Sequence, residues 1–264
     1  MSTSTPAPLP RASALIDGAA LVGRSFRIIT RRPEAVISAV IFPLVFALLF
    51  LAVFGRVMER QGFVYEQYLL PAIVIQATIF GAIGASILAS EDAQGGMCHR
   101  LRSMPISRTA AVVAPLGGEL IRTVISLAVL IAAGYAMGFR FERGVGLALV
   151  FVVVALGCTV AFGLGYLVLG YALGKVEPVR AIAMLVYYPL LLVSSLFVPA
   201  RAFPDWLQPF VDQQPLSRVS DALRALSTSG TQDVGETVLI AVAWLVGLTV
   251  CFALLAPRAF GRSR

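Results

Sequence analysis

Charged residues are scarce in this sequence. They make up 13% of its 264 positions, whereas a soluble domain carries about 25%. Lys175 is the only lysine and His99 the only histidine. A single histidine leaves almost nothing from which to build a histidine-based metal site or an acid–base pair. These absences argue against a soluble protein, and against a catalytic centre such as that of a membrane-embedded transferase.

Cysteine patterns and nucleotide-binding loops are missing as well. The three cysteines have no paired spacing and predict no disulfide framework. Gly174 and Lys175 do not belong to a phosphate-binding loop, because Leu169 stands where its leading glycine should be and Val176 replaces the Ser or Thr. Residues 1–12 hold Ser, Thr and Pro where a signal peptide would have its apolar core, and we expect a disordered tail there.

Long apolar runs are what the sequence has in abundance. Hydrophobic residues make up 58% of the chain, and the mean hydropathy is +0.87. Runs of about 20 apolar residues predict transmembrane helices. The predicted fold is therefore an all-α integral membrane protein with its transmembrane domain at residues 35–256. Its six predicted spans lie at about residues 35–54, 69–90, 110–138, 145–171, 179–198 and 237–256.

Residues 13–34, before the first span, carry one apolar helical stripe with the charged side chains largely off it. A basic amphipathic helix beside a span predicts an interfacial helix that lies along the membrane. The alternative is a linker helix that packs on a partner. At the other end of the chain, we expect residues 257–264 to form a cytoplasmic tail.

The positive charges predict the orientation of the spans. The net charge of +7 comes from arginines beside apolar runs; this pattern orients membrane proteins, and we expect no nucleic-acid partner. With the N-terminus inside, 13 of the 21 Lys and Arg residues fall in cytoplasmic segments and 7 in outer segments. The positive-inside rule thus places both termini in the cytoplasm. An even number of spans is then required, and six fits.

The polar segment at residues 91–108, between the second and third spans, is the first candidate for function. Acids at its start and arginines later suit a short helix that ends before Pro105. Such a helix, charged on one side and apolar on another, would plug a groove on a partner protein. An ordinary solvated connector is an equal alternative. The residues predicted to couple the chain to a partner are Glu91, Asp92, Met97, Arg100, Leu101 and Met104.

Two charged residues in the third span form the second candidate. Glu119 and Arg122 are spaced i, i+3, which allows them to pair on one helix face. Each charge at mid-membrane would cost about 2.5–3.5 kcal/mol. The pair should therefore lie near the cytoplasmic end, or face protein or a water-filled route. The simpler interpretation is an interfacial anchor.

The outer segment at residues 199–235 is the third candidate. Its apolar residues fall at helical spacing between prolines, which predicts two short amphipathic helices. They could form a re-entrant hairpin that covers a pathway, with Phe203, Trp206 and Phe210 as its outer gate. The alternative is a pair of interfacial helices with a tryptophan anchor. Four polar or aromatic residues in the spans could line a cargo cavity, although packing is the commoner role: Gln76, Tyr166, Tyr187 and Tyr188.

Three stretches carry a family resemblance. The pattern E-D-x-x-G-G-x-x-x-R-L-R-S-M-P-I-S-R at 91–108, the run GYAMGFRFERG at 134–144 and the segment at 203–226 resemble the ABC-2 type transporter permeases, most closely the daunorubicin-resistance branch of actinobacteria. In that family the loop after the second span acts as a coupling helix. Arginine used almost to the exclusion of lysine is compatible with an actinobacterial source.

The resemblance implies a non-catalytic half-transporter. Two permeases, identical or related, would form the pathway above two ATP-hydrolysing subunits, which would hold the ATP and magnesium while this chain holds no cofactor. Relatives export anthracycline-type drugs or large surface lipids such as phthiocerol dimycocerosates. A self-sufficient secondary carrier driven by an ion gradient is the rival hypothesis. Such carriers place ionisable residues at mid-membrane, and only Glu119 and Arg122 come near that position.

Overall fold

The computed structural model describes residues 33–60, 62, 64–95, 108–230 and 233–262, and within these ranges it is all-helical. The predicted tail at 1–12 and nearly all of the predicted interfacial helix at 13–34 lie outside the described residues. The eight α-helices of the described ranges are α1 (Pro33–Glu59), α2 (Tyr65–Gln94), α3 (Arg108–Met137), α4 (Val145–Leu173), α5 (Val176–Leu192), α6 (Gln208–Gln213), α7 (Pro215–Ser227) and α8 (Val234–Arg262), with a 3-10 helix at Ala200–Ala202.

Five of these helices are long and apolar enough to cross a membrane. Their apolar stretches are Ile41–Glu59, Tyr65–Glu91, Pro115–Met137, Val145–Leu173 and Val234–Ala256. These stretches correspond to five of the six predicted spans. The remaining one, α5, has 17 residues, which corresponds to about 25 Å of helix. The hydrocarbon core of a bilayer is about 30 Å thick.

The helix α5 ends at Leu192, six residues before the predicted end of that span. Three side chains bind the backbone groups that a longer helix would have used. The Ser194 hydroxyl donates to the Leu191 carbonyl at 2.6 Å, the Gln214 amide donates to the Val193 carbonyl, and the Ser195 N–H donates to the Ser217 hydroxyl at 3.0 Å. Side-chain bonds of this kind compete with helix propagation.

The helix α8 continues to Arg262, into the residues predicted as a tail. Ala256 and Ala259 explain the extension, because both are buried in a cluster with Leu164, Leu167 and Tyr171 of α4. Packing of these small side chains keeps the chain helical beyond the end of the apolar run.

The helix α2 lies at the centre of the bundle. Inside the chain, 78% of its apolar stretch is buried, against 11% of that of α8, and α2 contacts α1, α3, α4, α5 and α7. Small residues permit this close approach. A Cβ atom at Gly170 of α4 would collide with the Ser86 carbonyl of α2. Because α2 contacts these five helices, a movement of α2 would displace residues in most of the bundle.

Alternate connections of the chain meet at one end of the bundle. The Gln67 amide donates to the Arg140 carbonyl at 3.1 Å, and the Tyr68 hydroxyl donates to the Ser195 carbonyl at 2.5 Å. Residues 64–68, 138–144 and 193–230 therefore lie together, and we refer to this as the predicted outer end. Further along α2, Gln76 contacts Tyr187, so α5 and the turns after it run antiparallel to α2.

Candidate functional site

The predicted coupling segment begins inside α2. Glu91 and Asp92 belong to the last turns of this helix, which ends at Gln94, with the Gly95 N–H bonded to the Glu91 carbonyl at 2.8 Å. A separate short helix therefore does not begin at Glu91, as the sequence had suggested. Glu91 is exposed at the end of the bundle opposite the predicted outer end. The other predicted coupling residues lie outside the described residues: Met97, Arg100, Leu101 and Met104.

The ion pair that the i, i+3 spacing allows is present in α3. The Arg122 guanidinium donates to the Glu119 carboxylate and also to the Gly81 carbonyl of α2. Only 4% of the Glu119 side chain and 12% of the Arg122 side chain are exposed. The pair thus faces protein, with both charges directed at the central helix.

Two glycines of α2 make room for this pair. A Cβ atom at Gly81 would collide with the Glu119 carboxylate and would lie 2.8 Å from the Arg122 guanidinium. At Gly84, one turn further, a Cβ atom would lie 3.4 Å from Arg122 Nη1, which is ordinary contact. Only a glycine at position 81 fits the pair as it stands.

A stripe of polar residues continues from the pair along α3. Thr123 and Ser126 are buried on the same face, and the Thr159 hydroxyl of α4 donates to the Thr123 hydroxyl at 3.3 Å. A small cavity between α2 and α3 borders this stripe, with room for about one water molecule. It is lined by Val74, Ala77, Thr78, Glu119, Arg122, Thr123, Ser126, Leu127 and Leu130. A cargo molecule would not fit there.

A second ion pair lies at the predicted outer end. Arg224 of α7 pairs with Asp221 at 3.1 Å, and its guanidinium carbon lies 3.5 Å from the centre of the Tyr68 ring. The same side chain donates to the carbonyls of Tyr68 at 3.3 Å and Leu196 at 2.6 Å. Burial raises the pKa of Asp221, although the charge of Arg224 acts in the opposite direction. Arg224 thereby joins α7, α2 and the turns after α5.

Sequence reasoning missed this second pair, although Asp221 and Arg224 have the same i, i+3 spacing as the pair in α3. Charged residues in an outer connection are ordinary, so the spacing alone gave no reason to single them out. The partners on Tyr68 and Leu196 lie far away in the sequence and became visible only in the fold.

The loop between α3 and α4 is also fastened to the predicted outer end. The Glu142 carboxylate accepts from the Ser229 N–H at 2.6 Å, and the Glu142 N–H donates to the Ser227 carbonyl at 2.9 Å. Arg143 donates to the carbonyls of Thr228 at 2.8 Å and Gly230 at 2.9 Å. The end of α7 and the residues directly after it are therefore held against the loop between α3 and α4.

The two predicted amphipathic helices of the outer segment differ in how deeply they are buried. The face of α7 is buried against α2, α4 and α8 through Leu216, Val219, Ala222, Leu223 and Leu226. In the short α6, Val211 is buried and 59% of Phe210 is exposed, and 79% of Trp206, in the turn before α6, is exposed. Phe203 is partly exposed. Two of the predicted gate residues, Trp206 and Phe210, therefore lie on the surface of the single chain.

The predicted cargo-lining residues have different surroundings in the structure. The buried Gln76 amide donates to the Tyr187 hydroxyl at 3.4 Å, and the Tyr166 hydroxyl donates to the Ala183 carbonyl at 3.5 Å. Tyr188 is exposed. Gln76 and Tyr187 are thus brought together in the core. Over the described residues, no three His, Cys, Asp or Glu side chains lie close enough to hold a metal ion.

Comparison with known proteins gives a match over most of the chain. The family model described as ABC-2 type transporter matches residues 18–227. The chain is 30% identical over 256 residues to the daunorubicin resistance ABC transporter permease protein DrrB1 of Streptomyces coeruleorubidus, covering 95% of this chain and 88% of the relative. It is 28% identical to the probable doxorubicin resistance ABC transporter permease protein DrrC of Mycobacterium tuberculosis, covering 90% and 86%.

A more distant relative is the putative transport permease ycf38 of Porphyra purpurea, at 26% identity over 85% of this chain and 78% of the relative. All three of these relatives are permeases by name. The resemblance identified from residues 91–108, 134–144 and 203–226 is confirmed by these matches.

Proposed function

Because this chain belongs to the ABC-2 type transporter family and is a multi-pass membrane protein, we propose that it is the permease subunit of an ATP-driven exporter. The observation that carries the proposal is the match to permease subunits over nearly the whole chain. ATP hydrolysis takes place in a separate partner, which holds the ATP and magnesium. Two copies of that partner serve two permeases, which are identical or related chains.

The proposed topology has six spans and both termini in the cytoplasm. The helix α5, with the turns after it, counts as the fifth span, a view supported by its antiparallel path along α2. The excess of Arg and Lys in the segments at the opposite end supports placing the predicted outer end outside the cell. The membrane is the cytoplasmic membrane, and we expect an actinobacterial source.

Residues 91–104 form the proposed contact with the ATP-hydrolysing partner. This segment follows directly on the last turns of α2, and α2 contacts α1, α3, α4, α5 and α7. A push on the segment would therefore act first on the central helix. The proposed contact residues remain Glu91, Asp92, Met97, Arg100, Leu101 and Met104.

The proposed cargo is an amphipathic drug of the anthracycline class. Support comes from the two relatives named for daunorubicin and doxorubicin resistance, whereas the names of these relatives give no support for a complex lipid. Since the cavity in α2–α3 holds about one water molecule, the cargo path is expected between two permeases. The exposed Tyr188, Trp206 and Phe210 would then face the cargo or the second permease.

The test is ATP-dependent efflux of doxorubicin, followed by its fluorescence in cells that express the chain with its ATP-hydrolysing subunit. Replacing Glu91→Ala and Arg100→Ala together should leave the protein in the membrane but reduce efflux at least tenfold. The matched control replaces Glu59→Ala and Arg60→Ala, an exposed acid and base at the predicted outer end, and should leave efflux unchanged. Unchanged efflux in the first variant would contradict the proposed coupling contact.

The rival secondary carrier makes the opposite prediction for the purified chain. Alone in vesicles without nucleotide, a permease subunit should not move doxorubicin, even when an ion gradient is present. Gradient-driven uptake by the lone chain would reject the ATP-driven exporter and favour the carrier.

A further inference from the structure

We propose that Arg122 is a positioning residue that fastens α3 to α2, so that both helices move together when the segment between them is pushed. This inference rests on the proposed function, because it names the route by which the partner's movement would enter the bundle. In the sequence, residues 95–107 connect the end of α2 to the start of α3. Any displacement of this segment therefore acts on these two helices before it acts on the others.

The residues joined by Arg122 lie at similar distances from the connecting segment on both helices. Gly81 lies 13 residues before the end of α2, and Glu119 lies 11 residues after the start of α3. At 1.5 Å per residue, these positions are about 20 Å and about 16 Å from the connecting segment. The Arg122 guanidinium bonds to one acceptor on each helix. Both bonds come from Nη2, whose two N–H groups can donate to two acceptors at once.

The packing around the pair makes this attachment important. Among the side chains that the structure describes between the pair and the connecting segment, the small Ala85 and Ala89 of α2 lie in one buried cluster with Leu116 of α3 and larger residues of α4. On the other side, the small cavity separates α2 from α3. Large apolar side chains also pack the two helices together, because Leu127 and Leu130 of α3 lie in the same buried cluster as Ile73 of α2. The bonds of Arg122 add a directional attachment beside small side chains and a cavity, which interlock less than large side chains do.

The pair is not placed to bind cargo or a partner. Its side chains are nearly inaccessible, and the adjoining cavity has room for about one water molecule. Its contacts lie within the chain, on α2 and α3. A mechanical role fits these observations, because such a role needs contact with both helices and none with the cargo.

Gly81→Ala and Gly84→Ala form a matched pair of variants that test the fastening. Each adds one methyl group to the same helix, but only the first collides with the pair. Each variant is expressed with the ATP-hydrolysing subunit, and co-purification, ATP hydrolysis and doxorubicin efflux are measured. We expect Gly81→Ala to keep the subunit bound and hydrolysing ATP, while efflux per ATP falls at least fivefold. Gly84→Ala should stay within twofold of the unaltered protein.

A second variant covers the case in which Gly81→Ala fails to fold. Replacing Glu119→Leu and Arg122→Met together removes both charges and the bond to Gly81, and an apolar replacement of a whole buried pair is usually tolerated. We expect this variant to keep its thermal stability and to lose efflux per ATP as Gly81→Ala does. If the pair had a purely structural role, the double variant would change the thermal stability and leave efflux per ATP unchanged.

The inference is overturned if efflux per ATP is unchanged in the double variant, or if it falls equally in Gly81→Ala and Gly84→Ala. In either result the unaltered protein still exports in an ATP-dependent manner, and the proposed function stands. Absence of ATP-dependent efflux from the unaltered protein would instead overturn the proposed function, and with it the inference that depends on it.

Discussion

Two ion pairs of identical spacing hold different helices against α2. Glu119 and Arg122 lie on α3, inside the bundle, and Asp221 and Arg224 lie on α7, at the predicted outer end. In both pairs the arginine also donates to a backbone carbonyl of α2. The central helix is thus attached by the same chemistry at two positions along its length. One attachment is to α3, which follows the coupling segment, and the other is to α7, among the outer connections.

The two pairs differ in how many partners share each charge. Arg224 has the ring of Tyr68 and the Leu196 carbonyl in addition to its carboxylate, and 29% of the Asp221 side chain is exposed. Arg122 bonds to the Glu119 carboxylate and the Gly81 carbonyl, and the carboxylate of Glu119 is buried. Each charge of the inner pair therefore depends strongly on the other, whereas the outer arginine would keep most of its bonds without its acid.

Breaking the inner pair should have the largest effect. Arg122→Met leaves the Glu119 carboxylate buried without its cation, and we expect a loss of about 3–5 kcal/mol in the free energy of unfolding. Replacing Glu119→Leu at the same time should recover most of this loss, because no uncompensated charge remains. The measurement is thermal unfolding in detergent for the single and the double variant. A single variant as stable as the unaltered protein would show that the two charges do not depend on each other.

At the outer pair, the free energy of unfolding should depend mainly on the planar shape of the arginine side chain. Arg224→Lys keeps the charge but loses the planar fork and the stacking on Tyr68. The loss of hydrogen bonds from a charged group should lower the free energy of unfolding by about 1.5–3 kcal/mol. Arg60→Lys, an exposed position at the same end, serves as the control and should change little. Equal stability of both lysine variants would mean that Arg224 acts only through its charge.

The difference between the pairs also explains what sequence reasoning could reach. Helical runs and the spacing of Glu119 and Arg122 are local features, so the helices and the possibility of this pair were predictable. The energetic cost of mid-membrane charges further predicted that the pair must face protein, water or the membrane interface. The acceptor at Gly81 was not predictable, since many small residues of α2 could have faced α3.

Long-range partners account for the remaining features that the sequence did not reveal. The end of α5 is set by Gln214 and Ser217, which come from the following connection. Val211 of the six-residue α6 is buried and Trp206, in the turn before that helix, is exposed, although local spacing does not distinguish the two. Similarly, six apolar runs of comparable length do not reveal which one will lie at the centre. In each case the deciding contact joins segments whose proximity is known only from the fold.

Removing the outer acid should have the smallest effect. Burial raises the pKa of Asp221 despite the neighbouring arginine, so the fold favours the protonated form of this carboxyl more than the unfolded chain does. The stability that this preference provides is present at low pH and is lost as the pH rises from the ordinary value of 3.8 through the raised one. At neutral pH, Asp221→Asn should therefore change the free energy of unfolding by less than about 1 kcal/mol.

Glu119→Gln is the matched variant at the inner pair, and it should be clearly less stable at neutral pH, because the buried Arg122 then lacks its counter-charge. Thermal unfolding of both amide variants at neutral pH compares the pairs directly. If Asp221→Asn destabilised the protein as strongly as Glu119→Gln, the outer arginine would depend on its acid as the inner one does. The bonds of Arg224 to Tyr68 and Leu196 would then be too weak to hold α7 against α2 without the carboxylate.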